Sequence, residues 1–251
     1  MPLFIQLVYR TSNDDNVYKL LHFKQDVLNI FRTDKINFYL KNGALSIEIF
    51  NPAPSKVSIK SVLSSNVVND SAINKNTVSA VGVSYDSNNI IFDFEKDPST
   101  LIVGKPGSGA IMEISSLIMS RIYHNTPDQL KLLLCSVKEE KVFETFSGLT
   151  HLYTAPSMNQ EDTAINLTNI LNLIEHRTKL FSEKRCNNIN EYNNLPNEEK
   201  VPNILIAIFD LESFFRASAN NPNILLRILS NEAIKVGIQV ILYSENIDEL
   251  L

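Results

Sequence analysis

The sequence predicts an α/β protein, a mainly parallel sheet flanked by helices, with a β-rich segment at its N-terminus. Three observations carry that prediction. From about residue 79 onward, short apolar runs alternate with longer stretches of helical periodicity. The short runs are apolar on both faces, as strands must be when helices cover both sides of their sheet. Three of the chain's seven glycines fall between Gly104 and Gly109, directly after one of those runs.

Upstream, the first hundred residues read as mainly β with one helix. Leu20, Leu21, Val27, Leu28, Ile30 and Phe31 set a helical rhythm over residues 17–32. Ile36–Leu40 and Leu45–Phe50 flank Asn42-Gly43, a pair that tolerates positive φ and so predicts a hairpin. Residues 51–78 hold two prolines and many Ser, Asn and Lys, which reads as a loop or connector. In the second part, Thr100–Val103 is a strand, and Ile111, Ile114, Leu117, Ile118 and Ile122 predict a helix over 111–123. Leu130–Cys135 is the next strand. A long helix over 161–183 has Ile165, Leu167, Ile170, Leu171, Leu173 and Ile174 on its core-facing side. Ile204–Phe209 is a strand, residues 222–236 are helical, and Ile238–Tyr243 is a last strand. The expected organisation is an extension over 1–78, packed on a core over 79–251. No internal repeat is present.

At 251 residues and 28.3 kDa the chain has room for one or two domains at about 150 residues each. With 44% hydrophobic and 20% charged residues it is expected to be globular, which excludes disordered, collagen-like and coiled-coil classes. No apolar run approaches the ~20 residues a membrane span needs, so the chain alone is expected to be soluble. Met1-Pro2-Leu3-Phe4 does not open a signal peptide. A net charge of −5 and a pI near 5.4 lean away from nucleic acid, whose backbone rewards a basic face. Cys135 and Cys186 lie far apart, and the four histidines are scattered. A reducing compartment is expected, with neither a disulfide framework nor a zinc site.

The chemistry concentrates at Gly104-Lys105-Pro106-Gly107-Ser108-Gly109-Ala110-Ile111. A strand, a glycine-rich turn and a helix N-terminus form the arrangement that cradles phosphate in P-loop NTPases. Gly104 and Gly109 fit the Gly-x-x-x-x-Gly spacing. Ala110 and Ile111 stand where Lys and Ser/Thr belong, so no ammonium reaches the β- and γ-phosphates and Mg²⁺ loses a hydroxyl ligand. Two readings stand for this loop: a turn that needs glycine and binds nothing, and a residual, weak nucleotide site at a helix N-terminus. Lys105 is either an exposed loop lysine or a group reaching across a dimer, as in deviant phosphate loops.

Five segments resemble the FtsK/SpoIIIE ATPase family, in the right order and from about Ser79 to Ile247. They are Leu101–Gly109, Leu132–Lys138, Phe146–Leu152, Glu175–Phe181 followed by Ile189–Asn193, and Val236–Leu242. Within that family the chain looks most like the last ATPase domain of the EssC family, the coupling proteins of type VII secretion. The resemblance implies a RecA-like P-loop fold. It also marks departures. Phe209-Asp210-Leu211-Glu212 stands where active members carry Asp-Glu in succession. Asp210 would hold Mg²⁺ if the ion binds, and Leu211 takes the place of the water-activating carboxylate. Glu212 is expected to point elsewhere if strand alternation continues. Ser244-Glu245 replaces the Thr-Gln that senses the γ-phosphate.

No catalytic group is then intact, with Asp210 and Glu212 a relic acidic pair or a turn cap and Glu245 at the sensor position. Each loss removes several kcal/mol of transition-state stabilisation. The implied role is the C-terminal cytoplasmic domain of a membrane-anchored type VII secretion coupling ATPase. It would act in substrate recognition and assembly, with little or no hydrolysis of its own and ATP with Mg²⁺ as a weak, dispensable ligand. Implied partners are the preceding ATPase domains, small helical WXG-type substrates or their C-terminal tails, and further copies in a homo-hexamer; nucleic acid is not among them. Two alternatives remain, a ring-activated motor driving protein translocation and a DNA translocase. His151 reads as a packed or surface histidine and Lys138 as a solvated strand-end residue.

Overall fold

The computed structural model describes residues 4–10, 24–33, 35–41, 44–51, 53, 57–64, 76–84, 88–137, 141–217 and 222–246. These fall into two compact units, residues 1–62 with 82–88 and residues 63–81 with 89–251.

In the first unit, β1 (Phe4–Arg10), β2 (Ile36–Lys41) and β3 (Ala44–Phe50) form an antiparallel sheet in the order β1-β3-β2. The β2–β3 register places Lys41 opposite Ala44, as a hairpin through Asn42-Gly43 requires, although those two residues lie outside the described ones. Ile36, Leu45, Ile47 and Ile49 are buried, and Val27 and Leu28 of α1 (Lys24–Phe31) pack with them. Residues 11–23, which include the front of the predicted 17–32 helix, are outside the description. The connector over 51–78 contains a short helix, α2 (Ile59–Leu63), so the described N-terminal hundred residues hold two helices and not one. β4 (Val78–Val83) and β5 (Asn89–Asp93) pair as a two-stranded sheet.

The second unit is built on a five-stranded sheet of β6 (Ser99–Val103), β7 (Leu130–Ser136), β8 (Ser157–Met158), β9 (Asn203–Ile208) and β10 (Ile238–Ser244). Its order is β6-β10-β9-β7-β8, and every pairing is parallel. Alternate residues feed two separate cores. Ile204, Ile206 and Ile208 of β9 join Leu167, Ile170, Ile174 and Phe181 of α4 (Gln160–Glu183). Leu205, Ala207 and Phe209 join Ile114, Leu117 and Ile118 of α3 (Ala110–His124). The inner strands are thus apolar on both faces because both faces are covered, and each buried Leu, Ile or Phe contributes about 1.5–3 kcal/mol; the edge strand β6 instead leaves Leu101 and Val103 exposed. The predicted helix over 222–236 is two helices, α7 (Pro222–Ile228) and α8 (Asn231–Lys235). Ser230 divides them, because its side chain accepts from the Ala233 amide and so starts a new helix.

Two buried arginines hold the start of β10. Arg121, 0% exposed, donates to the Asn76 carbonyl and, at 2.8 Å, to Gln239 Oε1; its guanidinium lies 5.5 Å from the Phe94 ring centroid. Arg177 donates to the Val236 carbonyl at 2.8 Å. Between these contacts Gly237 takes φ 90°, and a Cβ there would lie 2.4 Å from Ile189 Cδ1. Only glycine fits that turn.

Candidate functional site

β6 delivers the chain into the glycine-rich loop, and α3 leaves from it. The Gly104 amide donates to the Ser244 carbonyl at 3.0 Å, and the Tyr243 hydroxyl donates to the Gly104 carbonyl at 3.0 Å. The start of the loop is therefore tied to the end of β10. A Cβ on Gly104 would lie 2.5 Å from Ser108 Oγ and 2.8 Å from Ala110 Cβ, so the loop folds back onto its own first residue. Gly107 (φ 82°) and Gly109 (φ 96°) are left-handed, and Gly109 stands at the N-cap of α3. Lys105, Pro106, Gly107 and Ser108 are exposed. The shape is that of a phosphate cradle. Its chemistry is not: Ala110 carries a methyl group and Ile111 packs against the α3-side core.

β9 ends at Ile208, one residue before the predicted end, and the chain turns sharply at Asp210 (φ 56°) into α6 (Leu211–Ala217). Asp210 is buried. Its Oδ1 accepts from the Ser213 amide at 3.4 Å and its carbonyl from the Phe214 amide at 3.0 Å, so it opens the helix. Leu211, in the place of the water-activating carboxylate, is buried in the α4-side core beside Phe214.

Glu212 is where the structure corrects the sequence reading. Strand alternation stops at the Asp210 turn, so the side chain does not point elsewhere but returns to the loop end of the sheet. It is 6% exposed. Its Oε1 accepts from the Ser244 hydroxyl and, at 2.9 Å, from the Asn246 amide, while Oε2 has no hydrogen-bond partner among the described residues. Burial raises the Glu212 pKa, but hydrogen bonds from Ser244 and from the amides of Asn246, Glu212 and Glu245 outweigh it and hold it below the ordinary carboxylate value.

These groups share one cleft of about 360 Å³, lined by Lys105 and Pro106 of the loop, by Asp210, Glu212 and Arg216, and by Glu245 beyond β10. The structure thus gathers Gly104–Ile111, Asp210, Glu212 and Glu245 at one end of the sheet. The sequence missed the Tyr243 hydroxyl on the loop and Arg216 in the cleft. The spacing of Arg216 from Asp210 and Glu212 on one short helix was the available signal for the second. His151 stands apart, buried, with Nε2 2.8 Å from the Asn125 carbonyl. Lys138 lies outside the described residues. Among those residues no cluster of three or more His, Cys, Asp or Glu is arranged to hold a metal, and both cysteines are free. The groups present do not fit Mg²⁺-nucleotide in the usual way: the ammonium and hydroxyl positions are apolar and Glu212 is already hydrogen-bonded.

Fold and loop together define a RecA-like domain of the P-loop class. The profile of the FtsK/SpoIIIE family matches residues 63–244, and the chain belongs to that family. Over 236 residues it is 30% identical to the DNA translocase FtsK of Clostridium tetani, covering 91% of this chain and 31% of that protein. The chain spans 25% to 31% of the length of the curated relatives it matches. Its fold is similar to the cytoplasmic domain of the type VII secretion ATPase EccC of Thermomonospora curvata (TM-score 0.66, 17% identity, 78% of this chain and 26% of that one). It is also similar to ATPases 2 and 3 of EssC from Geobacillus thermodenitrificans (TM-score 0.59, 20% identity, 64% and 31%). No helix among the described residues is long and apolar enough to cross a membrane.

Proposed function

We propose that this chain is a non-hydrolysing ATPase-family domain of a type VII secretion coupling protein, working in substrate recognition and assembly. The observation that carries the reading is the placement of Ile111 and Leu211. Both occupy positions where nucleotide chemistry calls on a polar group; Leu211 is buried in an apolar core and Ile111, partly buried, packs against the other, so neither offers a polar group to a phosphate. The fold likeness to EccC and EssC supports the coupling-protein assignment. On this reading the preceding ATPase domains of the polypeptide are its neighbours in a membrane-anchored assembly. Helical secreted substrates or their tails are its ligands, and the N-terminal residues form a β-rich extension.

Calorimetric titration with Mg-ATP, beside a turnover assay on wild type and Asp210→Ala, tests it. The reading expects no turnover, and capture of a substrate tail that does not depend on Asp210. Turnover that rises with oligomerisation and collapses in Asp210→Ala would sink it in favour of a ring-activated motor. The curated relatives favour a second reading, a DNA-translocating domain. Duplex binding that weakens steeply with salt would select that one; the net charge of −5 argues against it.

A further inference from the structure

The end of β10 is a ready-made seat for an anion, and the chain's own carboxylate already fills it. The Ser244 hydroxyl and the Asn246 amide two residues on converge on a single oxygen, Glu212 Oε1. Ser244 is also the residue whose carbonyl receives the Gly104 amide, so the seat and the first residue of the phosphate loop are joined through one residue. Glu212 lines the cleft together with the carboxylates of Asp210 and Glu245, which add to its charge, and with Lys105 and Arg216, which oppose it. Its second oxygen is buried without a hydrogen-bond partner among the described residues.

We infer that Glu212, held by Ser244, is an internal plug that occupies the place of a terminal phosphate and keeps polyphosphate out of the cleft. The inference rests on the proposed function and adds to it the cause of exclusion. A missing lysine alone weakens binding, whereas a fixed carboxylate opposes an incoming phosphate by like charge. Glu212→Gln keeps the size and the acceptor for Ser244 while removing the charge. Ser244→Ala removes the tether instead, so the proposal does not depend on one variant.

The experiment is calorimetric titration of the full chain and both variants with Mg-pyrophosphate and Mg-ATP. Thermal melts establish that the variants are folded. Wild type is expected to give no heat at ~1 mM ligand, and Glu212→Gln to bind about tenfold or more tightly than wild type. Ser244→Ala is expected to gain affinity in the same direction. Folded variants that stay as silent as wild type would overturn the plug, and so would a wild type that binds as tightly as Glu212→Gln. The two failures separate. A wild type that captures no substrate tail, combined with a gain of ligand affinity in Glu212→Gln, would reject the proposed function and keep the plug. Silence in all three proteins would keep the function and reject the plug.

Discussion

The two ends of β10 carry buried charge in opposite ways. At its start, Arg121 and Arg177 are cations whose terminal nitrogens donate to carbonyl and carboxamide oxygens, with the Arg121 Nε left buried without a partner among the described residues. Burial pushes the Arg121 pKa down to about 9, which Asp93 partly offsets, and that of Arg177 down to about 10; both stay charged at neutral pH. At its end, Glu212 is an anion satisfied at one oxygen only, beside an exposed loop. The first end is a bolt: its charges point at fixed acceptors inside a closed core. The second is a mouth, where a charge is held at the edge of a cleft. The contrast teaches that buried charge in this domain serves two purposes, fixing the framework at one end of a strand and lining an opening at the other.

The largest effect that would test the contrast is at the bolt. Arg121→Ala should cost about 3–5 kcal/mol in urea denaturation, since it removes a buried hydrogen-bonded cation and leaves Gln239 and the Asn76 carbonyl unpaired. A cost no greater than that of Ser244→Ala would erase the distinction between the two ends. Gly237→Ala should follow at about 2–3 kcal/mol, from φ 90° together with the collision with Ile189. Gly107→Ala, where the same backbone region faces open space, should cost only about 1–2 kcal/mol. Ser244→Ala should cost about 1.5 kcal/mol, since its hydroxyl serves the Glu212 carboxylate and also reaches the Asn246 carbonyl.

The smallest effect concerns the thiols. Burial pushes Cys135 up to about 12, so in the native protein a thiol reagent at neutral pH should label Cys186 and spare Cys135. Because the folded pKa is raised, this contribution to stability is present below the ordinary thiol value of 9.0 and fades as pH climbs towards about 12. Denaturation midpoints measured across that window should fall, and Cys135→Ala should flatten the fall.

Much of this was legible in the chain. The apolar runs at Leu130–Cys135, Ile204–Ile208 and Ile238–Tyr243 are strands, because a strand buried on both faces has no polar alternation to blur it, whereas Thr100–Val103 is an edge strand that leaves Leu101 and Val103 exposed. The family segments placed the loop and the Asp210 turn together. Three features were not legible. Glu212 depended on where β9 stops, and a single left-handed residue at Asp210 cancelled the alternation rule. The break at Ser230 hid inside a continuous apolar rhythm, because a capping serine looks like any polar residue on a helix. The bolts were half visible: Arg121 follows Ile114, Leu117 and Ile118 at helical spacing, on a face that should have been apolar throughout.

The strand order has a consequence in time. β10 lies between β6 and β9, pairing Val240 with Ser99 and Ile238 with Ile204. A ribosome must therefore deliver residues up to 244 before the sheet closes, and β6 waits through the synthesis of everything between. Pairing across so long a separation pays its loop-closure entropy late, which favours slow completion of the sheet. In the meantime β6 and the phosphate loop hang from an unfinished edge, and that edge is the part of the nascent chain a chaperone would have reason to hold.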